Sequence, residues 1–195
     1  MNQQKPTMVH VITNFAGVGG AEMMLARLIQ QTQDQYNHVI IALIKTSEVY
    51  AETLARCQSH YALGWNGLNT LGTISKLRHL LKSIAPKTVQ CWMYHANVLT
   101  SLSCIGFSPK PEIFWGIHHS LASPKEESLS TKVALLMSKV LATQPKGVIY
   151  CAHSSLQQHQ RFGLKNNNAQ VIANGVFLDK FQPNPELHEP CVIGF

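Results

Sequence analysis

Short apolar runs that alternate with amphipathic stretches along the chain predict an α/β protein with a doubly wound, mainly parallel sheet. The strand candidates are almost continuously apolar, as in His38–Ile44 (HVIIALI), which is the pattern of strands covered on both faces. A length of 195 residues suits one well-cored domain.

The elements follow in order. Met8–Thr13 is a strand that ends in the loop Asn14-Phe15-Ala16-Gly17-Val18-Gly19. From Gly20 the period changes. Ala21, Met24, Leu25, Leu28 and Ile29 fall on one helical stripe. After the strand His38–Ile44 come a short helix, Val49–Arg56, and a weaker strand, Ser59–Leu63. Leu71, Ile74, Leu77, Leu81 and Ile84 line one side of the next helix, which carries Lys76, His79 and Lys82 on the other and is closed by Pro86. Thr88–Trp92 is a strand, His95–Cys104 a helix and Pro111–Ile117 a strand. A polar loop, Ser120–Ser130, then leads to the helix Thr131–Ala142. Gly147–Cys151, Ser154–Phe162 and Ala169–Ala173 complete the alternation as strand, helix and strand.

Composition narrows the function classes. The chain is 45% hydrophobic and 13% charged, which is globular rather than disordered. Its apolar opening run, Met8–Ile12, is too short for a signal core or a membrane span, so a cytoplasmic protein is expected. Five scattered cysteines without a CxxC pair predict buried thiols rather than a zinc or redox site. A formal charge of +6 favours anionic partners, but the basic residues form only one local cluster, Lys76, Arg78, Lys82 and Lys87. No nucleic-acid motif accompanies them, and nucleic acid is not expected as a partner.

In a doubly wound sheet, ligands bind at the carboxyl ends of the strands. Three loops there carry polar groups. The first, Gly17-Val18-Gly19-Gly20-Ala21-Glu22, could present free amides at a helix start to phosphate, or be a tight turn alone. Two mismatches count against a dinucleotide site: Glu22 fills the third glycine position, and Ile44-Lys45 stand where the ribose-binding acid belongs. The second loop is Trp92-Met93-Tyr94-His95-Ala96-Asn97. The third is His118-His119-Ser120, in which adjacent side chains point to opposite sides, so only one histidine can face a cleft. A neutral imidazole there could orient or deprotonate a hydroxyl. From spacing alone, a surface histidine is the better reading in a chain with ten of them. No HExxH, Walker or GxSxG sequence is present, and no metal is expected.

Taken together, four stretches resemble the N-terminal domain of family 4 retaining glycosyltransferases of the GT-B fold. They are Gly19-Gly20-Ala21-Glu22, Trp92–Asn97, Phe114–Leu121, and the run from Ile149 to Pro183 with Asn174-Gly175-Val176, Phe181 and Pro183. The second and third are similar to the WMYHAD and WGIRHSL stretches of a polysaccharide-related branch. His118 replaces that branch's arginine, and Phe177 replaces the aspartate of NGVD.

The resemblance implies a Rossmann-like sheet forming one half of a GT-B fold. Residues 1–183 would be the acceptor-side domain, and 184–195 a linker and first strand of a donor domain that the chain lacks. It implies transfer of a sugar from an NDP-sugar to a saccharide or lipid-linked acceptor, in polysaccharide synthesis, without a metal cofactor. Catalytic positions would be His119 and, less directly, His118. Substrate or phosphate contacts would come from Gly19, Gly20, His95, Asn97, Asn174 and Gly175. The chain would be inactive unless a separately encoded donor domain joined it. The alternative is a non-catalytic acceptor- or membrane-binding remnant, resting on the inner face of the membrane through Lys76, Arg78 and Lys82.

Overall fold

The computed structural model describes residues 5–175. It runs β1 (Thr7–Ile12), α1 (Gly20–Thr32), β2 (Asn37–Ala42), a 3₁₀ turn (Glu48–Tyr50) passing into α2 (Ala51–Ala55), and β3 (Ser59–Ala62). It continues α3 (Thr70–Ile84), β4 (Thr88–Trp92), α4 (Tyr94–Ser103), β5 (Glu112–Ile117), α5 (Leu129–Leu141), β6 (Gly147–Tyr150), α6 (His153–Phe162) and β7 (Ala169–Val171). All seven strands are parallel, in the order β3-β2-β1-β4-β5-β6-β7. The chain winds outward from β1 in one direction to β3 and then in the other from β4. The switch point, and the crevice that goes with it, therefore lies between β1 and β4.

Side-chain alternation divides the core into two layers. Val9, Val11, Val39, Ile41, Val89, Cys91, Ile113 and Trp115 face the layer of α3, α4 and α5, where Leu77, Leu81, Leu99 and Leu135 meet them. Ile12, Ile40, Ala42 and Trp92 face α1, which contributes Ala21, Leu25 and Ile29 from its expected stripe. Strand register lifts the motif loops to one level: Ile12 pairs with Trp92, and Trp92 with Gly116. Ile12, Trp92 and Gly116 thus end at one height, and the loops that follow converge.

Four expectations need correction. Leu71 does not belong to the buried stripe of α3; it is 83% exposed, and Thr73 takes the inward position above Leu77 and Leu81. The helix expected over Val49–Arg56 is split, because Ser47 caps a 3₁₀ turn before α2 begins. Arg78 is not part of a free cationic patch: it donates to the carbonyls of Ser103 and Ile105 at 2.8 and 2.6 Å and lies over the Phe107 ring, closing the end of α4. Among the cysteines, Cys91 and Cys104 are buried, but Cys57 and Cys151 are only half-buried. Cys191, Phe177, Phe181, Pro183 and the expected domain boundary at 184–195 lie outside the described residues.

Candidate functional site

The cleft sits where the switch point predicts it. It encloses about 270 Å³ and is lined from β1 and its loop by Ile12, Thr13 and Asn14, and from α1 by Ala21 and Glu22. Met93, Tyr94 and His95 at the start of α4, His119 and Glu127 from the β5–α5 connection, and Thr131 of α5 form the opposite wall. Thr13 Oγ1 and Asn14 Oδ1 on the cleft wall are buried without a hydrogen-bond partner among the described residues.

Backbone strain gathers at the same place. Met93, the residue that starts α4, has φ +73°. A side-chain-bearing residue adopts that region only at a cost of order 1–3 kcal/mol, and such strain clusters at functional sites. Its N–H is held at 2.9 Å by the Gly116 carbonyl, so β5 fixes the bend.

The glycine loop is pinned from outside. Phe15 stacks on Tyr50 at 4.1 Å, and the Tyr50 hydroxyl donates to the Gly17 carbonyl at 2.9 Å. Gly19 caps α1 with extended backbone, and a methyl group there would collide with the Glu22 carboxylate. With glycine at this position, the flexible Glu22 side chain can fold back over the first turn; a methyl group would push its carboxylate aside. Its charge contributes, after burial, to raising the Tyr50 hydroxyl above its ordinary range. The helix start expected to receive phosphate on the amides of Gly19 and Gly20 thus already holds an acid.

His119 and His118 part company, as adjacent strand-end residues must. His119 turns into the cleft, where its Nε2–H donates to Glu127 Oε1 at 2.7 Å. Tyr94 meets its ring edge-on at 6.0 Å, and Ser155 holds its carbonyl at 2.7 Å. His118 instead stacks on Trp92, ring centroids 5.0 Å apart, and burial lowers its basicity while Asn174 raises it. His95 lines the cleft and pairs with Ser130 Oγ at 2.9 Å; burial holds it below the usual histidine range.

The other expected site residues lie elsewhere. Gly19 and Gly20 head the helix whose next two residues line the cleft. Asn97 is not on the cleft wall; it is fully buried in α4, because the helix turns its side chain inward. Asn174 reaches His118, and Gly175 lies against α1, where its carbonyl accepts from Arg27 at 2.6 Å. Glu127 was not foreseen. It stands in a polar loop with no periodicity, and only its return to His119 singles it out. Among the described residues, no group of three or more His, Cys, Asp or Glu side chains could hold a metal ion.

Residues 18–180 match Glycosyltransferase Family 4, and the chain belongs to that family. No curated protein matches the sequence. Its fold is similar to that of Anabaena Alr3699/HepE, solved in complex with UDP, with TM-score 0.69 and 14% identity over 92% of this chain and 47% of that one. It is similar also to the lipopolysaccharide outer core galactosyltransferase WaaB, with TM-score 0.67 and 15% identity over 94% of this chain and 50% of that one. UDP-N-acetylglucosamine 2-epimerase from Rickettsia bellii shares the fold too, with TM-score 0.59 and 12% identity over 88% and 45%. The chain thus spans about half the length of the solved structures it matches.

Proposed function

We propose that this chain is the acceptor-side domain of a retaining glycosyltransferase that moves a sugar from an NDP-sugar to a saccharide or lipid-linked acceptor, in polysaccharide or glycan synthesis on the cytoplasmic side of a membrane. The observation that carries the reading is the His119–Glu127 pair in the switch-point cleft of a Glycosyltransferase Family 4 chain. Three structures of Anabaena Alr3699/HepE, which share this fold, contain UDP or UDP-glucose, which supports a nucleotide-sugar donor.

Residues 1–183 form the acceptor-side unit in this reading, and the donor is held chiefly by a second domain facing the cleft. Glu127 accepts from His119 Nε2–H, which orients the imidazole and leaves Nδ1 as the acceptor for a sugar hydroxyl. His95 and Thr131 give further hydrogen-bonding groups on the same wall. Gly19 and Gly20 keep the backbone low enough for a phosphate to approach, and Glu22 must turn aside when it does. His118, stacked on Trp92, and the segment of Asn174 and Gly175 brace the rim. The leaving diphosphate is stabilised by charge and oriented donors rather than by a bound metal.

The test is sugar transfer and NDP release, measured for the purified chain alone and with a donor-binding domain supplied in trans. Transfer is expected only in the mixture, and His119→Ala should lower it by about 10²–10⁴-fold, the usual contribution of a positioned acid–base group. Transfer by the chain alone, or an unchanged rate with His119→Ala, would overturn the assignment.

A further inference from the structure

Behind His95 the cleft adjoins a second hollow of about 530 Å³, within the range of small-ligand sites. Val98, Leu99 and Leu102 of α4 form its floor; Trp65 stands on one side, and Val133 and Met137 of α5 on the other. His95 and Ser130 supply its polar end, where it meets the cleft. The outer face of α5 continues the apolar surface. Leu129, Val133, Leu136 and Val140 recur at helical spacing on one side and are between 54% and 78% exposed. A soluble domain seldom leaves such a stripe bare, and one flanked by lysines suits the boundary between headgroups and acyl chains.

Charge selects the partner. Helices α3, α4 and α5, which make up this layer, carry Lys76, Arg78, Lys82, Lys132 and Lys139 and no aspartate or glutamate. On the other layer, α1 and α2 mix Glu22 and Glu52 with Arg27. Lys132 and Lys139 directly precede Val133 and Val140, so the cations border the stripe.

We infer that the hollow takes one hydrocarbon chain of an anionic amphiphile presented from a bilayer, with the α5 stripe resting on the membrane and the polar head entering the cleft past His95. The acceptor is then lipid-linked. That last step rests on the sugar-transfer reading, whereas the binding of the chain does not. The membrane contact lies on α5 rather than on α3, where Arg78 is committed to the carbonyls of Ser103 and Ile105.

Trp65 offers a local probe, since it is half-buried in the hollow while Trp92 and Trp115 are 5% and 0% exposed. The chain is mixed with phosphatidylcholine vesicles carrying brominated acyl chains, with or without phosphatidylglycerol, and tryptophan emission is followed. Quenching is expected with the anionic vesicles and should largely vanish in Trp65→Phe. Leu129→Glu/Val133→Glu should weaken vesicle binding at least tenfold without shifting the unfolding midpoint, because both side chains are exposed. Lys132→Gln/Lys139→Gln should weaken it only toward the anionic vesicles.

No quenching, quenching that survives in Trp65→Phe, or equal affinity for neutral vesicles would overturn the inference. So would self-association abolished by Leu129→Glu/Val133→Glu, which would give the stripe to a second copy. Vesicle binding without transfer in the donor-supplemented mixture removes the transfer reading alone, and transfer without vesicle binding removes this one alone.

Discussion

The histidines under α1 and those on the cleft are the same residue put to opposite uses. Beneath α1, Trp92 Nε1–H reaches His10 Nδ1 at 3.4 Å, and His10 Nε2–H donates to His38 Nδ1 at 3.0 Å. His38 Nε2–H continues to Thr32 Oγ1 at 3.0 Å, whose hydroxyl donates to the Leu28 carbonyl at 2.6 Å. Only this direction satisfies every member, because Thr32 must donate to a carbonyl and Trp92 can only donate. Both rings are thereby held neutral, and their ring nitrogens are spent within the fold. On the cleft, His119 keeps one nitrogen for Glu127 and leaves the other for a ligand. A closed network specifies structure, whereas an open one is available for chemistry.

The strongest way to break the buried network is His10→Ala. It leaves the Trp92 N–H and His38 Nδ1 unpaired around a cavity, and urea denaturation should show a loss of about 4 kcal/mol.

Acid attacks the same pair. Burial, and then the charge of His38, lowers His10 from its ordinary 6.5 to about 3, and burial lowers His38 as well. Between those values the unfolded chain binds more protons than the folded one, so folded stability falls as pH drops from 6.5 toward 3. One such histidine contributes a slope of about 1.4 kcal/mol per pH unit. Denaturation midpoints across this window should flatten in His10→Leu/His38→Leu; an unchanged slope would place the acid sensitivity elsewhere.

The cleft pair should respond in rate instead. Glu127→Gln removes a charge-assisted hydrogen bond worth about 1.5 kcal/mol, so transfer by the donor-supplemented enzyme should slow about tenfold. The replacing amide can still accept through its Oε1, so stability should fall by no more than about 1 kcal/mol.

Tyr94→Phe probes the border between the two groups and has the smallest expected effect. The Tyr94 hydroxyl donates to His159 Nε2 at 2.6 Å, and His159 Nδ1–H donates to the Ser155 carbonyl at 2.7 Å. Removing the hydroxyl leaves one buried acceptor without its donor, for a loss of about 1 kcal/mol in thermal or urea unfolding.

Much of this architecture could be read along the chain. The period change at Gly20 and the covered strand His38–Ile44 dictate where helix and strand fall, and the alternation places ligand-facing loops at the strand ends. That His118 and His119 must face opposite ways follows from strand geometry alone. Local pattern failed where the partner was distant. Leu71 continues the spacing of α3 yet stands in solvent, and Arg78 looks like a surface cation yet closes α4.

The sequence by itself determined the order of elements, the parallel sheet and the level at which a site could form, because these depend on side-chain period and backbone preference within a few residues. The tertiary structure alone decided which of the nine described histidines are closed in and which stay open. It also decided that Glu127 returns to His119 and that α5 leaves an aliphatic stripe outside. Those outcomes depend on which strands lie side by side and at what register, bringing together His10, His38 and Trp92 from three strands. No repeat within a single segment carries that information.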